Sequence, residues 1–265
     1  TIADTKGYKK PLFMISILIG TIACSLLGLM VQWMAFLIVF LIAKVGFSAS
    51  LIFYDSMLSD ITDEERMDYV SSQGYAWGYI GSCVPFVLCL VIVLGSDPLG
   101  IRMETAMGIA FVLVAVWWLL MSLPLLKNYE QKYYVEKKPH AIAQSFKRLG
   151  ETFKNMKEEK QVFMFLLAFF FYIDGVYTII DMATAYGSAL GLDSTGLLLA
   201  LLVTQIVAFP CAIIFGNLSY RIRTEKLIIV CIFAYLGIAI FAVFLKTQFQ
   251  FWILAILVGM FQGGI

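Results

Sequence analysis

Eight long apolar runs limit the folds that are open to this chain. They cover about residues 11–30, 33–54, 74–95, 104–126, 162–186, 195–215, 227–245 and 249–265, the last of which is short. A membrane-spanning helix needs about 20 apolar residues, and only helices and closed barrels can cross lipid. None of the runs alternates as a strand would, and only 14% of the 265 residues are charged. The sequence therefore predicts an all-α, multi-pass integral membrane protein.

The positive charges lie on one side of the predicted spans. Three Lys or Arg residues precede the first span and one follows the second. Nine lie between the fourth and fifth spans and three follow the sixth, which is 16 in all. The opposite side has two, Arg102 and Lys246. Because cytoplasmic loops are enriched in Lys and Arg, we predict that the N-terminal end and the long connection face the cytoplasm.

The long connection, residues 127–161, separates two predicted helical bundles, residues 1–126 and 162–265. Its second part has apolar residues at steps of three and four between basic ones, which predicts an amphipathic helix. The apolar positions are Ile142, Phe146, Leu149, Phe153 and Met156. Such a helix suits the cytoplasmic membrane surface, but packing on the protein's own helix ends explains the pattern equally well.

Two carboxylates interrupt the fifth apolar run, in the stretch FFFYIDGVYTIIDMATAYG from Phe169 to Gly187. Charge at membrane depth is costly and faces a cavity or a partner instead of lipid. Asp174 and Asp181 are seven residues apart, so they share one helical face at a spacing of about 10 Å. Asp174 is the deeper of the two and is predicted to bind H⁺ or Na⁺. Asp181 either shares that coupling role or is an exposed acid at the outer mouth.

The opening IADTKGYKK resembles a loop of the major facilitator superfamily, with the pattern G-x-x-x-D-x-x-G-x-K/R-K/R between helices two and three. Asp4, Gly7, Lys9 and Lys10 match the pattern. The resemblance implies a gating loop whose acid pairs with cations and helix ends of the other half. A plain basic cytoplasmic loop is the alternative. A second copy, GNLSYRIRTEK, keeps Gly216 and Arg221 but has Tyr220 in place of the acid.

The stretch from Phe53 to Ser82 narrows this resemblance to the vacuolar-effluxer family within that superfamily. The pattern Ser-x-x-Gly-Tyr-Ala-x-Gly-Tyr-x-Gly is present at residues 71–81, and FFYIDGVYTI and FQGG fit the family's seventh and tenth helices. The resemblance implies a partial major facilitator fold, about helices three to ten of twelve. It also implies amino-acid export as the activity, in the cell membrane of a bacterium or the vacuolar membrane of a eukaryote.

Lys44 lies near the middle of the second apolar run, which corresponds to helix four of the superfamily. In that superfamily helices one, four, seven and ten line the cavity, so Lys44 and Asp174 are expected to face each other. Either they form a structural ion pair, or Lys44 attracts an anionic group of the substrate while an aspartate takes a cation. Gly175 is expected to loosen the helix beside Asp174. Further polar groups predicted for the site are those of Tyr172, Tyr177, Thr178 and Gln205.

Gly74, Gly78 and Gly81 fall on one face of the third predicted helix. Small residues at this spacing let two helices approach closely, so we predict a packing face. Static packing and sliding against helix eight of the superfamily, here the run 195–215, are both open. An acidic segment precedes them and is predicted to be a solvated cytoplasmic surface or gate. It contains Asp55, Asp60, Asp63, Glu64, Glu65, Arg66 and Asp68.

The sequence has no nucleotide loop, no Ser–His–Asp set, no metal-ligand cluster and no basic patch for nucleic acid. We therefore predict no enzyme activity, no cofactor and no metal. The predicted function is ion-coupled secondary transport of a small polar solute by alternating access, with an amino acid as the favoured cargo. Transport of sugars or other metabolites, or a membrane scaffold that keeps the transporter fold, are the alternatives.

Overall fold

The computed structural model describes residues 3–98, 100–136, 150 and 160–264. These residues form eight α-helices and no strand. The helices are α1 (Lys9–Leu26), α2 (Trp33–Ile61), α3 (Met67–Leu94), α4 (Met103–Asn128), α5 (Lys160–Ala189), α6 (Ser194–Leu218), α7 (Thr224–Val243) and α8 (Gln248–Gln262). The first seven are long and apolar enough to cross a membrane. The predicted all-α, multi-pass membrane fold is confirmed.

The observed helix bounds differ most from the predicted ones where the helices continue into polar sequence. Helix α2 continues to Ile61, although its apolar run ends near residue 54, and α3 begins at Met67, before the predicted start near residue 74. The added part of α2 buries Met57, which packs in a cluster with Phe13 and Ile17 of α1. These tertiary contacts stabilise helical turns that are too polar to be recognised as part of a span.

The chain divides into two compact units, and the first comprises Thr1–Glu64 and Val84–Leu149. Helix α1 is its central helix and approaches both neighbours at glycines. A Cβ added at Gly46 of α2 would lie 2.7 Å from the backbone nitrogen of Gly20 in α1. A Cβ added at Gly28, just after α1, would lie 2.4 Å from the Cα of Gly108 in α4. Only glycine permits these close backbone approaches.

The second unit comprises Glu65–Cys83 and Gly150–Ile265. Helix α6 carries a small residue at every fourth position, and all five are buried: Ala200, Thr204, Ala208, Ala212 and Gly216. Small residues at this spacing allow close helix packing. Helix α8 packs on the stripe, since a Cβ added at Gly259 would lie 2.6 Å from the carbonyl oxygen of Thr204. This four-residue repeat was visible in the sequence, although hydropathy alone does not reveal it.

The core of the second unit continues beyond this helix pair. Leu197, Phe251, Leu254 and Val258 form a buried cluster with Ile238 of α7. The first part of α3 belongs to the same unit. The predicted bundles 1–126 and 162–265 stay a prediction. The predicted amphipathic helix, with its stripe from Ile142 to Met156, lies outside the described residues.

Candidate functional site

A buried ion pair lies at the predicted cytoplasmic end of the first unit. The Lys9 ammonium lies 2.8 Å from the Asp60 carboxylate, and their side chains are 4% and 0% exposed. Lys9 also donates a hydrogen bond to the carbonyl oxygen of Ser56 at 3.1 Å. A buried charge is tolerated only when it is paired and hydrogen-bonded, so Lys9 fixes the first turn of α1 to the last turns of α2.

Asp60 has further donors that come from the start of the long connection. The Tyr129 hydroxyl donates to the same carboxylate oxygen as Lys9. The other oxygen accepts the backbone N–H groups of Lys132 and Tyr133 at 3.1 and 2.9 Å. Burial, together with the hydrogen bond to the Asp60 carboxylate, raises the pKa of Tyr129. We call Lys9, Asp60, Tyr129 and residues 132–133 the Asp60 hub.

The opening loop is tied to the same part of the connection. The Val135 N–H donates to the Asp4 carbonyl at 2.8 Å, and the Lys6 N–H donates to the Val135 carbonyl at 3.1 Å. The Gly7 N–H donates to the Gln131 side-chain oxygen at 3.0 Å. Gly7 has φ 77°, a left-handed conformation that suits glycine because it has no Cβ. The loop and residues 131–135 therefore form one hydrogen-bonded structure.

The hub corrects one sequence prediction. Asp60 was grouped with its acidic neighbours as part of a solvated cytoplasmic surface or gate, but the structure buries it, so it is not solvated. No local sequence signal marked it, because its donors are distant in the chain. Lys9, predicted to be a gating cation, is the partner of Asp60, whereas Lys10 is exposed.

The second copy of the gating loop contacts α3 within the second unit. The ring of Tyr220, which replaces the acid, lies 5.5 Å from the ring of Tyr69 at the start of α3. The Thr224 hydroxyl donates to the Asp68 carboxylate at 2.6 Å. An aromatic contact and a hydroxyl–carboxylate bond thus connect this loop to α3.

Two other predicted gating residues flank those contacts. A Cβ added at Gly216 would lie 2.6 Å from the Cβ of Ser72, so α6 and α3 touch at this glycine. Arg221 is exposed. Of the predicted packing face on α3, a Cβ at Gly78 or Gly81 would meet no atom of the described residues within 4 Å. The packing role of Gly74, Gly78 and Gly81 stays a prediction.

Asp174 occupies the midpoint of α5, 14 residues after Lys160 and 15 before Ala189. Its side chain is exposed on the surface of the second unit. Helix α5 continues without a break through Gly175, so the predicted loosening of the helix is wrong. A single glycine costs a helix only about 1 kcal/mol relative to alanine, which flanking turns readily offset.

The other charged residues predicted for the site are also exposed within their own units. Lys44 lies 11 residues after the start of α2, on the surface of the first unit. Asp181 lies eight residues before the end of α5. Tyr177 is exposed, whereas Tyr172 is half-buried and packs edge-on against Phe169 at 5.4 Å.

The remaining predicted site residues line two neighbouring cavities in the second unit. Thr178 lines an apolar cavity of about 300 Å³ between α5, α7 and α8. Gln205 lines a smaller cavity of about 40 Å³ between α5, α6 and α8, together with Thr204 and Gln262. Phe251 is among the residues that line both. The structure therefore places Thr178 and Gln205 in separate cavities, and it adds Gln262, which the sequence reasoning missed.

Seven membrane-length apolar helices define a multi-pass integral membrane protein. Residues 59–265 match the family described as "Vacuole effluxer Atg22 like". The chain belongs to this family, which confirms the resemblance seen in the sequence.

Individual relatives are similar over part of their own length. A Bacillus subtilis protein named "Uncharacterized MFS-type transporter YxiO" is 41% identical over 269 residues, covering 100% of this chain and 63% of that protein. "Autophagy-related protein 22" of Kluyveromyces lactis is 23% identical over 222 residues, covering 76% and 44%. "Autophagy-related protein 22-1" of Emericella nidulans is 24% identical over 187 residues, covering 63% and 30%. The chain thus spans less than two thirds of each relative. No solved structure matches it significantly.

Proposed function

We propose that this chain is part of a secondary active transporter that exports a small polar solute by alternating access. The observation that carries the proposal is Asp174, a carboxylate at the midpoint of a membrane-length helix and exposed on its unit. A charge at this depth does not face lipid, because the cost is several kcal/mol by insertion scales. A water-filled path or a charged partner must therefore adjoin it. The names of the relatives, an effluxer family and an MFS-type transporter, support the same activity.

An amino acid is the proposed cargo. Lys44 attracts the carboxylate of the solute, and Asp174 takes its ammonium group or the coupling H⁺ or Na⁺. Tyr172, Tyr177 and Thr178 supply hydroxyl groups from the same helix as Asp174. Two opposite charges together with neutral hydrogen-bonding groups are the complement of a zwitterion.

The alternating movement requires a contact that breaks on the cytoplasmic side. The candidates are the Tyr69–Tyr220 ring contact and the Thr224–Asp68 hydrogen bond, since both join the second gating loop to α3. If α3 moves with the predicted N-terminal bundle, these contacts separate when the transporter opens inward. The Asp60 hub lies wholly within the first unit and moves as part of it.

The full-length protein reconstituted in proteoliposomes tests the proposal. We expect exchange of radiolabelled amino acids across the membrane under a pH or Na⁺ gradient. Exchange of sugars instead of amino acids would support the proposed transport activity and contradict an amino acid as the cargo. No exchange of any small solute under either gradient would contradict transport and favour a scaffold that retains the fold.

A further inference from the structure

Helices α1 and α4 leave a groove between their ends on the side of the first unit that is predicted to face the cytoplasm. Near the opposite side their backbones touch, since a Cβ added at Gly28 would collide with the Cα of Gly108. About two turns closer to the cytoplasm, a Cβ added at Gly20 would collide with the ring of Trp118. Beyond this ring lies the groove, with a volume of about 400 Å³. Ligand sites usually have volumes of about 300–1,000 Å³.

The wall of the groove is apolar where the two helices form it. Pro11 and Met14 of α1 line one side, and Leu126 of α4 lines the other. Met14 is 44% exposed, so much of this wall is accessible. Both helices are of membrane-spanning length. An acyl chain can therefore lie along the wall and keep its apolar surface from water.

Lys10 carries the positive charge of the groove. Among the described residues that line the groove it is the only charged one, and its side chain is exposed. The neighbouring Lys9 is neutralised by Asp60. Lys10 forms no ion pair with another described residue. Its charge is therefore available to an occupant of the groove.

The uncharged polar side chains of the groove are already hydrogen-bonded. The Gln131 side-chain oxygen accepts the Gly7 N–H at 3.0 Å, and the Gln131 amide nitrogen faces backbone carbonyls. The Tyr129 hydroxyl donates to Asp60. Lys10 is thus the side chain that can bind a polar group, and that group must be an anion. The acidic residues of this region that do not line the groove are Asp4, Glu130 and Glu136.

The level of the groove in the membrane indicates the kind of anion. Lys10 is the second residue of α1, and Leu126 is the third from the end of α4. The cation and the apolar wall therefore adjoin at one end of the spans, where phospholipid head groups lie. Basic pockets between transmembrane helices on the cytoplasmic side bind anionic head groups. A soluble anion would neutralise Lys10 but would leave the apolar wall in contact with water.

We infer that the groove between α1 and α4 binds an anionic phospholipid, with the phosphate on Lys10 and an acyl chain along Met14 and Leu126. This lipid joins the start of α1 to the end of α4, beside the Asp60 hub. The inference goes beyond the proposed transport function and does not depend on the identity of the solute.

Lipid binding to the purified full-length protein tests the inference. Native mass spectrometry at increasing lipid concentration compares phosphatidylglycerol with the neutral phosphatidylcholine. We expect phosphatidylglycerol to bind about tenfold more tightly, because its net charge lets it form a charge-assisted contact with Lys10. Lys10→Gln should remove this preference. The matched control Lys127→Gln removes an equal charge beside Leu126 but outside the groove, and it should keep the preference because exposed charges are screened.

A second variant and a competitor examine the apolar part of the site. Met14→Trp should weaken the binding of both lipids, since the larger side chain fills the groove. Inorganic phosphate should compete poorly with phosphatidylglycerol, because it cannot cover the apolar wall.

Four results would overturn the inference. Equal binding of the two lipids to the wild-type protein would exclude a charge-selective site. Equal effects of Lys10→Gln and Lys127→Gln would indicate general attraction to a basic surface. Competition by inorganic phosphate as strong as that by the lipid would indicate a soluble anion. Unchanged lipid binding in Met14→Trp would show that another segment of the full-length protein, and not a lipid, covers the groove.

Discussion

Lys9 and Asp60 form a buried ion pair across 51 positions of sequence, with 2.8 Å between the ammonium and a carboxylate oxygen. The same carboxylate accepts the N–H groups of Lys132 and Tyr133, more than 70 positions further along the chain. One side chain thus joins the start of α1, the end of α2 and the first residues of the long connection. Asp60 therefore holds residues 129–133 against the end of α2.

Asp60→Asn should strongly destabilise the protein. The substitution leaves the Lys9 ammonium buried without a counter-charge, and breaking a buried pair in this way costs about 3–5 kcal/mol. The free energy of unfolding of the purified full-length protein measures the effect. Hydrogen exchange at residues 132 and 133 should rise as well, because their N–H groups then donate to a neutral amide oxygen instead of a carboxylate.

Glu104→Gln is the matched control for that substitution. Arg102 and Glu104 also form an ion pair, but their side chains are 79% and 80% exposed. Exposed pairs contribute little because water and salt screen them, so we expect nearly unchanged stability. Equal effects of Asp60→Asn and Glu104→Gln would show that the carboxylate of Asp60 is solvated.

Tyr129→Phe should cost about 1.5–3 kcal/mol, since it removes a hydrogen bond to a charged acceptor. The pKa of Tyr129 is raised by burial and by this hydrogen bond, so the folded state favours the protonated phenol. The stability difference between wild type and variant should be constant between about pH 6 and 9, and should shrink only above about pH 10, where the unfolded phenol ionises. Unfolding titrations across this range check the sign. A difference that grows at high pH would contradict the hydrogen bond.

Two glycine-to-alanine changes should have opposite effects. Gly46→Ala places a Cβ 2.7 Å from the backbone of Gly20, and overpacking of this kind costs about 1–3 kcal/mol. Gly237→Ala meets no described atom within 4 Å, so it should stabilise α7 by about 0.5–1 kcal/mol through helix propensity. Thermal unfolding of both variants is the measurement.

Gly78→Ala extends that comparison to the predicted packing face of α3. Within the described residues its Cβ also has open space, so we expect the same behaviour as for Gly237→Ala. A clear loss of stability at Gly78 would instead support the predicted packing role of this face.

Asp174→Asn should abolish gradient-driven uptake and preserve counterflow, because an amide neither carries a proton nor neutralises a bound cation. Asp181→Asn decides between the two roles left open for that residue, which lies eight residues before the end of α5: loss of gradient-driven uptake indicates a shared coupling role, and retained uptake indicates an acid at the outer mouth. Uptake under imposed pH and Na⁺ gradients distinguishes the two variants. If Asp174→Asn retains pH-dependent uptake, the residue has no coupling role.

Much of the fold could be predicted from the sequence because hydropathy is a local property. A run of apolar residues long enough to cross lipid must form a helix wherever it lies, so the eight helices and the mid-helix position of Asp174 followed directly. The end of α2 and the start of α3 did not follow from the sequence, because these helical turns depend on packing and not on hydropathy.

Only the tertiary structure decided which polar residues are buried. Seven charged residues between positions 55 and 68 looked alike in sequence, yet only Asp60 among them is buried. Its burial depends on donors from residues 9, 129, 132 and 133, and no local pattern encodes partners at that separation. Gln262 is similar, because the cavity that it lines exists only once α5, α6 and α8 have packed. A single residue type has one hydropathy, but the free energy of placing it in the interior is set by the groups that surround it.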